Sequence, residues 1–180
     1  MRVIDTLLKD AYIIEVKKFE DERGFFMEAF NQKDFNHYTR TDYSFVQDNH
    51  SQSSKNVLRG LHYQIENSQG KLVKCINGAV YDVIVDLRQS SPTYRMWFGI
   101  ELNRKNLMLW VPPGFAHGFY TLTDKAEFMY KTTDYWSKEH ERTLMWDDPV
   151  LNIDWKLKGD PILSPKDLQG QYLEDCDKFQ

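Results

Sequence analysis

Lys71-Leu72-Val73-Lys74-Cys75-Ile76, then Asn77-Gly78, then Ala79-Val80-Tyr81-Asp82-Val83-Ile84-Val85-Asp86-Leu87 carries the clearest β signal in the chain. Both runs are rich in β-branched residues, which suit a pleated, packed surface. Asn-Gly between two such runs is the favoured two-residue hairpin turn, because both residues tolerate positive φ. The stretch therefore predicts an antiparallel hairpin. Ser90-Ser91-Pro92 ends its second arm.

Outward from this stretch the same grammar repeats. Residues 12–16, 25–30, 97–102, 107–111 and 126–133 read as strands. Asp21-Glu22-Arg23-Gly24 is a turn, with Gly24 free to take positive φ. Asn31 is placed to cap a short helix over 33–38. Pro112-Pro113-Gly114 forces a tight turn that delivers Phe115-Ala116-His117-Gly118-Phe119-Tyr120. From about residue 137 onward, Asp147-Asp148-Pro149 and Asp160-Pro161 interrupt regular structure, leaving loops and short helical turns. Ser164-Pro165-Lys166-Asp167 reads as a helix start: Ser as cap, Pro first, Asp in the first turn. The expectation is one all-β domain over 1–180, a double-sheet sandwich or barrel with short peripheral helices.

Composition narrows the function. An apolar fraction of 41% supports a real core, and 14% aromatic content suits β architecture or stacking on planar ligands. The net charge is −4, and no block of Lys and Arg stands clear of acidic neighbours, so nucleic acid is not the expected partner. Cys75 and Cys176 are too far apart to indicate a disulfide framework or a Cys-based metal site, and Cys75 reads as a small buried hydrophobe. Asp5, Lys9 and Asp10 break any apolar signal-peptide core, and no later run is long enough to span a bilayer. A cytoplasmic protein without a membrane partner is expected.

The chemistry gathers elsewhere. Phe45-Val46-Gln47-Asp48-Asn49-His50 and Val57-Leu58-Arg59-Gly60-Leu61-His62-Tyr63-Gln64 read as two strands, with residues 51–56 as a polar link. Gln47, Asn49, Arg59 and His62 are dense polar chemistry for strands, which suggests the floor of a polar pocket. Side chains alternate along a strand, so Gln47 and Asn49 share a face while Arg59 and His62 face oppositely. A bulge at Gly60 would reconcile them, and an irregularity is predicted there.

The five histidines raise metal binding first. Pro112-Pro113-Gly114-Phe115-Ala116-His117 looks like half of a cupin metal motif, but His62-Tyr63-Gln64 lacks the second strand histidine, so no metal is expected. Proton transfer is the second reading. His62 suits a general base, since imidazole titrates near neutrality. Asp167 is a candidate orienting acid, Tyr130 a candidate proton donor, and Lys71 or Arg59 a candidate cation for developing negative charge. Taken singly, each is ordinary: a strand histidine, a first-turn acid, a strand aromatic, a solvated strand-end lysine, and for His117 a loop histidine.

Several runs together resemble one family. They are the two strands of the polar pocket, Gln69-Gly70-Lys71-Leu72-Val73, Pro113 to Phe119, Asp21-Glu22-Arg23-Gly24-Phe25-Phe26, Ala126-Glu127-Phe128-Met129-Tyr130-Lys131 and Leu163-Ser164-Pro165-Lys166-Asp167. In one order, from about residue 10 to about 170, they are similar to the dTDP-4-dehydrorhamnose 3,5-epimerase family. The resemblance implies a jelly-roll, cupin-like fold without metal or redox cofactor, assembled as a homodimer with strand exchange. It makes His62 the base, Asp167 its hydrogen-bonding partner, Tyr130 the acid on the opposite face, and Lys71 the neighbour of the ketone oxygen. It puts Arg59 and His117 on the substrate, with Gln47, Asn49, Arg23, Glu28, Glu141 and Lys166 around the nucleotide and sugar. Phe26 and Tyr135 would stack on the base, and the strand carrying Arg23 to Glu28 would reach the partner's pocket. The implied reaction epimerises a dTDP-linked 4-keto-6-deoxyhexose at C3 and C5. Epimerisation at C3 or C5 alone, action on another nucleotide-linked 4-keto sugar, a non-catalytic nucleotide-sugar-binding cupin and a metal-dependent cupin enzyme are the alternatives.

Overall fold

The computed structural model describes residues 1–180. Its first elements are β1 (Arg2–Asp5), β2 (Tyr12–Glu15), β3 (Lys18–Asp21), β4 (Gly24–Met27) and the helix α1 (Gln32–Thr39). Then come β5 (Gln47–Ser54), β6 (Leu58–Gln64), β7 (Lys71–Asn77), β8 (Val80–Asp86) and β9 (Trp97–Leu102). The last are β10 (Leu107–Val111), β11 (Phe115–Thr121), β12 (Lys125–Thr132), β13 (Glu141–Thr143) and a 3-10 turn at Asp167–Gln169.

Two antiparallel sheets face each other. One has six strands in the order β1-β2-β10-β7-β12-β5, and the other has five, β13-β6-β11-β8-β9. From β5 to β13 the chain changes sheet at every connection except β8 to β9. This is the all-β jelly-roll arrangement expected for the cupin class. It overturns one expectation. Both strands of the 71–87 stretch are present, yet β7 pairs with β10 and β12 while β8 pairs with β9 and β11. Asn77-Gly78 is a corner between sheets, not a hairpin turn. Gly78 has φ +75°, and a Cβ there would collide with the Lys125 carbonyl. A glycine with positive φ serves either kind of corner, so Gly78 does not choose between them, and Asn77 stays in the strand instead of sharing a two-residue turn. Crossing over gives each strand a partner on both edges, which a free hairpin lacks.

The interior between the sheets is filled by Val73, Cys75, Ile84, Leu109, Phe115, Phe119 and Phe128, among others. The outer face of the six-stranded sheet is covered by Phe35 of α1, seated on Leu72, Met108 and Trp110. Asn31 caps α1 as expected, its Oδ1 accepting from Asp34 N at 3.2 Å. The segment after 137 has a structural task that composition did not disclose. Its Leu151, Trp155, Leu173 and Cys176 blanket the outer face of the five-stranded sheet over Leu58, Leu61 and Val83. Asp148, buried there, accepts from the backbone N–H groups of Val150, Leu151 and Leu173 and so ties that cover together.

Two further expectations change. Residues 51–54 are no mere link: they continue β5 along β12, from Ser51↔Phe128 to Ser54↔Lys125. The strand read over 25–30 stops at Met27, and β4 pairs only with β3, forming a hairpin outside both sheets. No helix is long and apolar enough to cross a membrane.

Candidate active site

A cavity of about 590 Å³ opens between the sheets. Three walls make it. On β5, Gln47, Asn49 and Ser51 all point inward, an unbroken polar face that no apolar core would tolerate. On β7 and β12, the inward face carries Lys71 and Tyr130 above the core residues Val73 and Phe128. On β6 and β11 of the opposing sheet, it carries Arg59, His62, His117 and Phe119.

The β6 wall depends on an irregularity. His62 lies opposite His117 and Arg59 opposite Phe119, so β6 spends one residue more than β11 over this interval. The Gly60–Leu61 peptide is cis, and Gly60 has φ +121°. His117 and Phe119 are two apart and share a face. The extra residue therefore brings Arg59 and His62 onto one face, as the bulge expected at Gly60 requires. Backbones touch here: a Cβ on Gly60 would lie 2.5 Å from Gly118 Cα.

His62 Nε2 is buried 2.8 Å from Asp167 Oδ1, off the ring N–H direction of a linear hydrogen bond. Such contacts tighten when a ligand closes over them. Nδ1 is left free of protein partners. Burial holds His62 below the ordinary imidazole range despite the pull of Asp167, and Lys166 and Lys71 push the same way. It is therefore neutral and able to accept a proton near pH 7. Burial alone would raise Asp167, but His62, Ser164 and the Gly60 N–H hold its carboxyl well below the usual range.

Lys71 is almost fully buried and donates to the His62 carbonyl at 3.2 Å. Burial pulls it down to about 8, against the Glu141 carboxylate, so it remains a cation near neutrality. Tyr130 lines the same cavity as His62 from the other sheet. Burial raises its phenol, Glu141 adds to this, and Arg59 opposes it. At pH 7 it is protonated. Lys166 and Glu141 form an ion pair at 2.5 Å on the wall beside them. His117 Nε2 meets both oxygens of the fully buried Asp82, at 3.0 and 2.9 Å. Burial raises Asp82, with His117 and Lys71 opposing.

The cavity thus holds a neutral imidazole and a neutral phenol on opposite sheets, with a buried ammonium beside the imidazole. That set can take a proton from one side of a carbon, return one from the other, and stabilise an oxyanion between. No group of three or more His, Cys, Asp or Glu side chains is disposed to hold a metal.

The family described as dTDP-4-dehydrorhamnose 3,5-epimerase matches residues 5–175. A Shigella flexneri protein of that name is 54% identical over 181 aligned positions, covering 99% of each chain. The chain belongs to the dTDP-4-dehydrorhamnose 3,5-epimerase family. Its activity class is that of an isomerase. A crystal structure of the Legionella pneumophila epimerase in complex with dTDP-4-keto-L-rhamnose aligns with TM-score 0.95 and 47% identity, covering 98% of this chain and 94% of that one. A 3'-monoepimerase from Streptomyces bikiniensis in complex with dTDP-quinovose aligns at 0.88 and 30% identity, covering 94% and 86%.

Of the residues the family resemblance nominates, His62, Tyr130, Asp167 and Lys71 meet in the cavity, with Gln47, Asn49, Arg59, His117, Glu141 and Lys166 around them. Four others do not line it. Arg23 and Phe26 lie on the β3–β4 hairpin, where Arg23 pairs with Asp21, and Glu28 accepts from Asn31. Tyr135 is exposed, and its neighbour Trp136 lines the cavity instead. Sequence reasoning also missed Asp82 and Gln64. Asp82 alternates with the core residues Val80 and Ile84, an acid on an otherwise apolar face, which was a readable signal. Gln64 binds the Tyr135 carbonyl and the Ser137 N–H, pinning the aromatic loop at the mouth to the strand that carries His62. Its sequence offers no mark that distinguishes it from any other strand amide.

Proposed function

We propose that the protein epimerises a dTDP-linked 4-keto-6-deoxyhexose at C3 and C5, giving dTDP-4-dehydro-L-rhamnose from the D-gluco substrate. The carrying observation is the opposition of His62 and Tyr130 across one cavity with Lys71 beside His62. The C4 ketone acidifies the hydrogens on both neighbouring carbons. His62 takes one as a hydron, and the C–H electron pair moves into the carbonyl to form an enolate. The Lys71 ammonium stabilises the enolate oxygen, a contribution of about 3–4 kcal/mol by comparison with an oxyanion-hole donor. Tyr130 then gives its phenolic proton to the opposite face, the C4 carbonyl re-forms, and the centre is inverted. This leaves His62 protonated and Tyr130 as phenolate. Exchange with water resets both, and the cycle repeats at the second carbon. No electrons are lost or gained, so the reaction needs no redox cofactor.

Arg59 and Lys166 suit the pyrophosphate, and Gln47 and Asn49 the sugar and nucleoside hydroxyls. The β3–β4 hairpin stands apart with Phe19, Phe25 and Phe26 exposed. This supports a homodimer in which Arg23, Phe26 and Glu28 complete the partner's pocket. A mono-epimerase is the second reading, favoured by the likeness to the Streptomyces 3'-monoepimerase. The test is incubation with dTDP-4-keto-6-deoxyglucose in D₂O, read by NMR. Deuterium at both C3 and C5 is the expected result. Deuterium at one carbon selects the mono-epimerase, and none, with binding retained, leaves a non-catalytic binder.

A further inference from the structure

The 3-10 turn at Asp167–Gln169 closes a loop of hydrogen bonds that the proton-transfer chemistry does not by itself require. Ser164 Oγ donates to Asp167 Oδ2 at 2.6 Å, and the Ser164 N–H donates to the same oxygen at 3.1 Å. In return, Ser164 Oγ accepts from the Asp167 N–H at 3.3 Å. These are the reciprocal bonds of a capping box, with Asp in the position usually held by Glu or Gln. The other carboxylate oxygen, Oδ1, is turned the opposite way, to the Gly60 N–H at 3.0 Å and His62 Nε2 at 2.8 Å. Asp167 is buried, so its two oxygens have no water to choose between. Oδ2 is held by Ser164, and Oδ1 is held by the Gly60 N–H with His62 Nε2 2.8 Å away.

We propose that Ser164 is a positioning residue for the base: its capping box fixes the Asp167 carboxylate so that Oδ1 alone faces His62. This rests on the proposed epimerase mechanism for its effect on rate, but not for its effect on His62. Without the Ser164 hydroxyl, Oδ2 loses its strongest donor, and the carboxylate can rotate. Its negative charge is also less shared, so it holds a proton on His62 more strongly.

The experiment compares Ser164→Thr with Ser164→Val, two side chains of one shape that differ by the hydroxyl, alongside Ser164→Ala. It reads epimerase kcat and KM, and the His62 imidazole titration by NMR in the unliganded protein. The Thr variant is expected to stay near the parent. The Val and Ala variants should lose about 10- to 100-fold in kcat, the scale of a misplaced catalytic group, with KM changed less than about twofold. Their His62 titration should move to higher pH. If Ala does not fold, the Thr–Val comparison carries the test. Val equal to Thr in both kcat and titration overturns the proposal. If the parent shows no epimerase activity while the His62 titration still separates Val from Thr, the mechanism fails and the positioning stands.

Discussion

At the residue scale the site is a balance of buried charges. Lys71 must be a cation to stabilise an enolate, yet burial has brought it down to about 8. Its charged form exists below that value and is lost as pH rises through it. The alkaline limb of kcat/KM should therefore fall near pH 8, and Lys71→Arg should move that limb out of the measured range, since guanidinium does not deprotonate. A limb unmoved by the substitution would assign it to another group. Asp82 helps hold the proton on Lys71 from behind His117. Asp82→Asn should accordingly shift the alkaline limb to lower pH while the acid limb, set by His62, stays in place. Gln47, Asn49, Arg59 and His62 were legible as dense polar chemistry on strands, whereas Lys71, Tyr130 and Asp167 are ordinary taken singly and stood out only through the family resemblance. What the sequence did not reveal was pairing. Asp82 reads as a strand acid until the His117 imidazole is seen on its carboxylate, and Glu141 reads as a loop acid until Lys166 meets it.

At the element scale the bulge in β6 decides whether the site assembles. Strand alternation sets Arg59 and His62 on opposite faces, and Gly60 between them marks the place where the rule must break. That much follows from sequence. The contact with Gly118 does not, because it depends on which strand lies alongside. Gly60→Ala should destabilise the protein by more than about 1 kcal/mol, through positive φ and the clash with β11. Chemical denaturation measures this, and kcat should fall with it because His62 is displaced. Stability and kcat equal to the parent would remove the bulge from the account. Asn77-Gly78 teaches the converse. The break at Gly78 was read correctly, but neither the hairpin turn nor the partner strands were: Asn77 ends β7 and Gly78 alone takes positive φ, which a corner between sheets also uses. The serines of β5 were read as a link for a related reason: strand propensity penalises them, and only a polar cavity explains their inward face.

At the scale of the whole molecule, the β3–β4 hairpin is the element that a lone chain leaves unexplained. It buries little and carries exposed phenylalanines and Arg23. The proposed partner subunit would account for all of these at once. Light scattering should report a dimer, and replacing Phe25 and Phe26 together by Ser should raise KM for the nucleotide sugar well before it lowers kcat. A fully active monomer would leave the hairpin without a role. Whether the one proposed base, His62, serves both carbons is read by position-resolved deuterium NMR of substrate incubated in D₂O with the His62→Ala protein. No deuterium is expected at C3 or C5, while circular dichroism and substrate binding match the parent. Deuterium entering at either carbon at the parental rate would contradict that role.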